Sequence, residues 1–372
     1  MKGILARHWS YLPTGLMLAA LLIIFWFFNQ SYLAAGKGVV AQFLENPIPT
    51  FGLIIFGAYA GAFISGEFCV KVPMTFEPLV FAAIGGFLAG VGAVIAGMSV
   101  QSVVLFNLAG IFTLPAFMIT QGWIYGVFMI LGGLVGSRLL VWIMPKIPVR
   151  KREIPVPEPL RSKRNLQIMF FAVIAVMLLF VLILMVLPRF TFPDKMGILL
   201  AFLLLVLFGF IVERGTVCMS SMLKEWFISH SAYVWKSVLF TIMCLSILYQ
   251  AGLQLSLFQP IAMENYVLHP ELLIVGSFLM GFGFIFADGC FIGSLWKAGE
   301  GNVINIIGII GILAGIGVTQ FGKALLAGQT EIVANGIPND LSSVISPSMF
   351  LITLWIIGAF LLIVFRRKRY RY

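Results

Sequence analysis

Charged residues are scarce in this 372-residue chain: Asp, Glu, Lys and Arg together make up 10% of it. Soluble domains carry about 25% charged and about 45–50% apolar residues, whereas 61% of this chain is hydrophobic. A soluble fold cannot bury so large an apolar fraction, because much of any domain's surface faces water. The composition therefore excludes a cytosolic enzyme, a nucleic-acid-binding protein and a secreted disulfide scaffold. It predicts an all-α, polytopic membrane protein.

Residues that hold metals or form redox pairs are also few. The chain has three histidines and four cysteines, and no two cysteines form a CxxC pair. Their spacing fits no zinc motif, and no cluster of His, Cys and carboxylate argues for another metal. A GxxxxGK[ST] nucleotide-binding loop is likewise missing. We therefore expect neither enzymatic activity nor a bound cofactor or metal.

Apolar stretches long enough to cross a bilayer, which takes about 20 residues, recur along the whole chain. The first is longer than the apolar region of a signal peptide, about 7–15 residues, and we interpret it as a span. About nine or ten transmembrane helices are expected. They lie near 12–30, 50–68, 77–97, 121–144, 167–187, 196–212, 233–257, 271–288, 303–326 and 347–365.

Basic residues divide the chain and indicate its orientation. Seven Lys and Arg lie between Lys146 and Arg164, and five between Arg366 and Arg371. Residues 145–166 are predicted to link a first membrane half, 1–144, to a second half, 167–372. The positive-inside rule places this linker and the C-terminal tail in the cytoplasm. An N-terminus outside the cell, with one re-entrant span, is the alternative.

The two halves share a glycine-striped segment. Residues 85–96, GGFLAGVGAVIA, and residues 276–287, GSFLMGFGFIFA, are identical at six of twelve positions. A weaker match aligns residues 66–69, GEFC, with residues 215–218, GTVC. In the expected topology the two striped helices run in opposite directions, as in transporters built from inverted repeats with a site at mid-membrane. Chance likeness between glycine-rich helices is the alternative.

A polar break follows each glycine stripe, with Asp288, Gly289 and Cys290 in the second half and Ser99 in the place of Cys290 in the first. Irregular backbone at membrane depth requires surrounding protein or a water-filled cavity. A short helix starting at Cys290 would direct its N–H groups and positive dipole end into that cavity and bind an anion. A thiol there suits a ligand whose own acceptor is sulfur or selenium.

The remaining cysteines and charges have less specific patterns. Cys244 lies in an apolar helix and is assigned to packing. Glu213-Arg214 and Asp288 stand at predicted helix ends, where capping at the membrane surface and a role in the site are both open. Lys297 and Glu300 are spaced to pair along one helix turn.

Taken together, these segments resemble the YeeE/YedE family of sulfur-compound transporters, most closely its YedE-like branch. The resemblance is carried by residues 213–221, ERGTVCMSS, by Gly281 and Gly283, and by residues 288–293, DGCFIG. It extends from about Gly57 to Phe365. It implies an inner-membrane protein of two pseudo-symmetric halves shaped like an hourglass, in which short non-spanning helices bring cysteines to the waist.

The resemblance also implies a site and a mechanism. In the family, thiosulfate passes between the cysteines through S–H···S hydrogen bonds. The implied substrate-binding residues here are Cys69, Cys218, Gly289 and Cys290, with Ser99 where the family has a cysteine. An associated cytoplasmic sulfurtransferase is an implied partner, beside membrane lipid.

The expected function is that of a permease importing a small sulfur-containing oxyanion, above all thiosulfate. Three alternatives stay open. The substrate could be a selenium compound or another reduced sulfur species. The chain could be a membrane-embedded thiol oxidoreductase, which needs two cysteines within bonding reach. It could also be a scaffold subunit that transports nothing.

Overall fold

The computed structural model describes residues 9–34, 47–73, 75–96, 120–143, 192–228, 232–257, 266–267, 270–326, 337–338 and 347–367. Eleven α-helices make up nearly all of this part of the chain, which confirms the all-α prediction. Strands β1 (Tyr266–Val267) and β2 (Ile337–Pro338) form one short antiparallel pair. The helices are α1 Tyr11–Ala34, α2 Pro47–Ser65, α3 Glu77–Ile95, α4 Thr120–Ile143, α5 Phe192–Arg214, α6 Met219–Ile228, α7 Tyr233–Gln254, α8 Pro270–Phe286, α9 Phe291–Gly299, α10 Val303–Leu326 and α11 Pro347–Arg367.

The lengths of these helices make the chain a multi-pass membrane protein. Six stretches of the described chain are long and apolar enough to cross a bilayer: Glu77–Ile95, Trp123–Ile143, Leu199–Lys224, Tyr233–Gln254, Glu271–Gly299 and Val303–Gly322. Shorter apolar helices cover Tyr11–Ile24, Thr50–Ser65 and Met349–Ile363. The span predicted at 167–187, the linker at 145–166 and the first polar break with Ser99 lie outside the described residues.

Two of the six stretches are interrupted. Leu199–Lys224 consists of α5, a turn and the short helix α6, and Glu271–Gly299 consists of α8, a turn and the short helix α9. Cys218 lies directly before α6, and Cys290 caps the N-terminus of α9. The short helix that we predicted to begin at Cys290 is therefore present, and a second one begins after Cys218.

The glycine-striped helices α3 and α8 pack directly against each other. A Cβ atom on Gly85 would stand 2.7 Å from the carbonyl oxygen of Gly283, and one on Gly92 would stand 2.6 Å from that of Gly276. The backbones approach so closely because neither helix carries a side chain at these positions, as is common for helix contacts in lipid. The paired residue numbers run in opposite directions, so the two helices are antiparallel.

Contacts on the outer sides of this pair follow the same pattern. The carbonyl of Phe87 in α3 faces Gly315 in α10, and the carbonyl of Phe278 in α8 faces Gly132 in α4. Phe87 and Phe278 are the aligned phenylalanines of the two glycine-striped segments. This arrangement agrees with two inverted copies of one helix pair.

Candidate functional site

The buried thiols of Cys218 and Cys290 form the centre of the candidate site. Their Sγ atoms lie 3.8 Å apart, which is within hydrogen-bond distance for sulfur, and the two residues are 1% and 2% exposed. Because their sequence positions are far apart, only the meeting of the two interrupted spans brings them together. The sequence therefore predicted both residues but not their contact.

The sulfur of Cys290 lies at the N-terminal ends of both short helices. It accepts hydrogen bonds from the backbone N–H of Met219, at 3.3 Å, and from that of Gly293, at 3.2 Å. N–H groups at helix starts have no partner within their own helix, and the helix dipole adds a partial positive charge there. Two such ends around one sulfur favour negative charge at this point.

Gly293 leaves the space that the thiol pair occupies. A Cβ atom at this position would stand 3.3 Å from Cys290 Sγ and 2.9 Å from Cys218 Cβ, and it would be closer still to Cys218 Sγ. Real Cβ atoms essentially never approach another atom to less than 3.0 Å. The glycine is thus required by the thiols that pack against it.

Side chains next to each cysteine donate hydrogen bonds to the backbone of the other interrupted span. Trp296 Nε1 donates to the carbonyl oxygen of Val217 at 2.9 Å, and Ser220 Oγ donates to that of Phe284 at 2.9 Å. The Phe284 carbonyl lies in the last turn of α8, where C=O groups have no partner within the helix, and the Val217 carbonyl lies in the turn between α5 and α6. These cross-links hold the Cys218 and Cys290 turns in register.

Two lysines and one aspartate surround the thiol pair with a net positive charge. Lys224 Nζ is 2.7 Å from Asp288 Oδ1, and Lys297 Nζ is 2.7 Å from the Asp288 carbonyl oxygen and 3.5 Å from Oδ2. Asp288 stands two residues before Cys290 in the chain, so this cluster lies beside the thiol pair. The side chains are partly exposed, 16% for each lysine and 40% for Asp288, so this cluster reaches the surface of the protein.

The predicted pairing of Lys297 with Glu300 is wrong. Lys297 turns back to Asp288, and Glu300 instead pairs with Lys71 at 2.7 Å. Asp288 lies in the sharp turn before α9, with a φ of 57°, and the long side chain of Lys297 reaches back along α9 to its carbonyl and carboxylate.

Cys69 is exposed and lies at the opposite end of α9 from the thiol pair. Its backbone N–H is 3.4 Å from the carbonyl oxygen of Glu300, just after α9 ends. At 1.5 Å per residue, α9 separates this point from Cys290 by about 15 Å. The structure therefore unites two of the three predicted cysteines and keeps the third at a distance.

The GxxC alignment between the halves is displaced by one residue in the structure. After α2, the N–H groups of Gly66 and Glu67 bond to Phe63 and Ala62, and after α5 those of Thr216 and Val217 bond to Glu213 and Val212. The equivalent turn residues, both with positive φ, are Gly66 and Thr216. Cys69 therefore comes three residues after its turn residue, Gly66, whereas Cys218 comes two residues after Thr216.

Glu213 and Arg214 are fully buried, so the surface-capping interpretation is wrong for them. Arg214 Nε donates to Glu213 Oε2 at 2.6 Å, and its Nη2 donates to Ser65 Oγ at 2.9 Å and to Glu67 Oε2 at 2.7 Å. A guanidinium can serve several acceptors at once because of its forked geometry. The group ties the end of α5 to the end of α2.

Gly289, the other predicted site residue, packs against Ser294 and Asn305, and Cys244 is half-buried against the apolar core.

Sequence reasoning missed Lys224, Ser294 and Asn305. The signal that could have found Lys224 is the cost of a charge inside an apolar span, which marks functional positions. Within the described residues no group of His, Cys, Asp and Glu is suited to a metal ion.

Comparison with known proteins identifies the relationship. Residues 214–372, which contain the thiol pair, match the family described as "Sulphur transport". The chain is 28% identical over 258 residues to a protein named "Probable transporter YedE" from Salmonella typhimurium, over 68% of this chain and 60% of the relative. The chain is similar to the YeeE/YedE transporters.

Two further relatives agree with this assignment. The YedE protein of Escherichia coli is 26% identical over 271 residues, again 68% of this chain and 60% of the relative. A protein named "Thiosulfate transporter TsuA" from Spirochaeta thermophila is 26% identical over 184 residues, 44% of this chain and 53% of the relative. The chain matches about 60% of the length of its YedE relatives. The resemblance that the sequence motifs indicated is confirmed.

Proposed function

We propose that this protein is a permease that imports a small sulfur-containing oxyanion, most favourably thiosulfate, across a cell inner membrane. The observation that carries the proposal is the pair of buried thiols at two helix N-termini within membrane-spanning stretches. The relationship to transporters of sulfur compounds supports it. Membrane lipid surrounds the protein. A cytoplasmic sulfurtransferase is the proposed partner that receives the imported sulfur.

The chemistry of the site suits an anion with a sulfur end. Lys224 and Lys297 outnumber Asp288 in charge, so they attract an anion toward the thiols. Inside a membrane protein the effective dielectric is low, which strengthens such attraction. The thiols then supply S–H donors to the ligand's sulfur. A guanidinium or ammonium group is a harder donor and suits a sulfur acceptor less well. A carboxylate or phosphate site would use arginine instead.

The proposed transport path has three binding positions. The exposed Cys69 receives the anion at one end of α9, the Cys218–Cys290 pair lines the narrowest part, and Ser99 provides a hydroxyl at the break of the first half. Cys69 stands about 15 Å from the pair. The anion therefore leaves Cys69 and moves along α9 before it contacts Cys218 and Cys290. We propose that transport is inward, with the linker and the C-terminal tail on the cytoplasmic side.

The experiment is uptake of thiosulfate labelled with ³⁵S into cells that lack other sulfur sources. Cells expressing the protein should accumulate label and grow on thiosulfate, whereas cells with an empty vector should not. A matched culture supplied with cysteine controls for general toxicity. Equal accumulation with and without the protein would refute the proposed function. Competition with selenosulfate in the same assay tests the selenium-compound alternative.

A thiol oxidoreductase is the second candidate, because the two Sγ atoms are only 3.8 Å apart. A disulfide needs about 2.05 Å, so a small movement would allow the bond. Mass spectrometry of protein purified without reductant separates the two functions. A permease keeps Cys69, Cys218 and Cys290 as free thiols, whereas a stoichiometric Cys218–Cys290 disulfide that cycles with substrate would establish the oxidoreductase.

A further inference from the structure

A second polar cluster, formed by Ser294, Lys297 and Asn305, lies against the Asp288–Gly289 turn that leads into Cys290. A Cβ atom on Gly289 would stand 2.5 Å from Ser294 Oγ and 2.8 Å from Asn305 Nδ2. Asn305 Nδ2 and Lys297 Nζ both donate to the Asp288 carbonyl oxygen, at 3.3 Å and 2.7 Å. Side chains from α9 and α10 thus converge on the residues next to the thiol pair.

Two atoms of this cluster are buried without a partner. Ser294 and Asn305 are 0% exposed, and among the described residues neither Ser294 Oγ nor Asn305 Oδ1 has a hydrogen-bond partner. Leaving a buried polar atom unpaired costs about 1–3 kcal/mol, and nearly all such atoms in native proteins are satisfied. The missing partners therefore point to a molecule that binds here.

The hydrogen-bonding groups indicate what that molecule offers. Ser294 has a free hydroxyl, and the amide of Asn305 has a second N–H beside the one directed at Asp288. Lys297 adds an ammonium charge within the same cluster. These donors suit the oxygen atoms of an anion. Asn305 Oδ1 can accept from a water that accompanies it, since water-mediated contacts serve nearly as well as direct ones.

We propose that Ser294 and Asn305, together with Lys297, bind the oxygen-bearing end of the transported anion while the thiol pair binds its sulfur end. This inference rests on the proposed function and deepens it, because it assigns the residues that recognise the oxygen atoms of the substrate. The favoured ligand carries a terminal sulfur and several oxygens on one small anion. Hydrosulfide would satisfy only the thiols, and sulfate would satisfy only the oxygen site.

The test compares three variants in liposomes containing the purified protein. Ser294→Ala removes the free hydroxyl, and Asn305→Asp replaces the amide N–H by a carboxylate of the same shape. Ser246→Ala is the matched control, because Ser246 is equally buried but already bonded to the Met243 carbonyl of its own helix at 2.8 Å. The measurements are the apparent KM for ³⁵S-thiosulfate and the inhibition constant of hydrosulfide in sealed samples.

Losing a hydrogen bond to a charged ligand should raise the thiosulfate KM about tenfold in Ser294→Ala. Asn305→Asp should raise it further, because its carboxylate repels the anion. Ser294→Ala should keep the wild-type inhibition constant for hydrosulfide. Asn305→Asp should weaken hydrosulfide binding less than thiosulfate binding, because hydrosulfide carries one negative charge and thiosulfate two. Ser246→Ala should change neither value. The ratio of the two constants does not depend on how much protein folds.

The outcomes separate the two claims. If the wild-type protein carries no thiosulfate, the proposed function fails. If it carries thiosulfate but Ser294→Ala and Asn305→Asp behave like Ser246→Ala, the oxygen site is wrong while the proposed function stands. An equal loss of thiosulfate and hydrosulfide binding would show a purely structural role and would also overturn the oxygen site.

Discussion

Replacing Gly293 by alanine should separate the thiols and stop transport. The added Cβ would stand 2.9 Å from Cys218 Cβ and 3.3 Å from Cys290 Sγ. Forcing an extra carbon into a packed interior costs about 1–3 kcal/mol, and the helical preference of alanine over glycine returns about 1 kcal/mol. We therefore expect a net destabilisation of about 0–2 kcal/mol, together with more than a tenfold loss of uptake.

Gly317→Ala is the matched control, because a Cβ at Gly317 in α10 meets nothing within 4 Å. This variant should be about 1 kcal/mol more stable than wild type, from helical preference alone, with unchanged uptake. The assays are thermal unfolding in detergent and ³⁵S-thiosulfate uptake per folded molecule.

The double variant of Cys218→Ala and Gly293→Ala tests whether contact with the Cys218 sulfur causes the loss of stability. Cys218→Ala removes the sulfur that the new Cβ strikes, so Gly293→Ala should cost less stability in that background than in the wild-type protein. Residues in contact show such non-additivity, whereas independent sites do not. Additive stability losses, or wild-type uptake by Gly293→Ala alone, would refute the packing argument.

Three further predictions concern other parts of the chain. Arg214→Ala leaves buried Glu213 without its partner and should destabilise the protein by about 3–5 kcal/mol, read as a fall in the unfolding temperature; unchanged unfolding would contradict the buried ion pair. Ser99→Cys restores the family pattern and should keep or raise thiosulfate uptake, whereas lower uptake would mean that the hydroxyl selects a harder oxyanion. A reporter enzyme active only in the periplasm, fused after Tyr372, should stay silent, because the basic tail is expected inside the cell; activity there would reverse the proposed topology.

Much of the fold could be predicted from the sequence because lipid imposes simple rules. Long apolar runs must become helices, since every backbone polar group in the bilayer needs an internal partner. The glycine-striped segments 85–96 and 276–287 were predicted to form helices that run in opposite directions, and α3 and α8 are antiparallel. The break at Cys290 was predictable because Asp288 and Gly289 interrupt an apolar run.

The parts that sequence reasoning missed depend on contacts between distant residues. Cys218 and Cys290 are 72 positions apart, and no local pattern specifies their meeting. Lys297 was expected to pair with Glu300 because helical spacing describes only neighbours on the same helix. In the structure Lys297 instead contacts the carboxylate of Asp288, in the turn before that helix. Similarly, the one-residue displacement of the GxxC match follows from the turn geometry after α2 and α5, which the aligned letters do not contain.

The most direct test of the thiol site is thiosulfate flux into liposomes by the purified protein with Cys290→Ala, compared with Cys244→Ala. Cys290→Ala deletes a donor at two helix N-termini, and a lost hydrogen bond to a charged ligand costs about 1.5–3 kcal/mol. If the contact is made at the barrier, flux should fall about tenfold to a hundredfold. Cys244→Ala should keep wild-type flux per folded molecule. Equal flux in both variants would contradict the proposal that the anion passes the thiol pair.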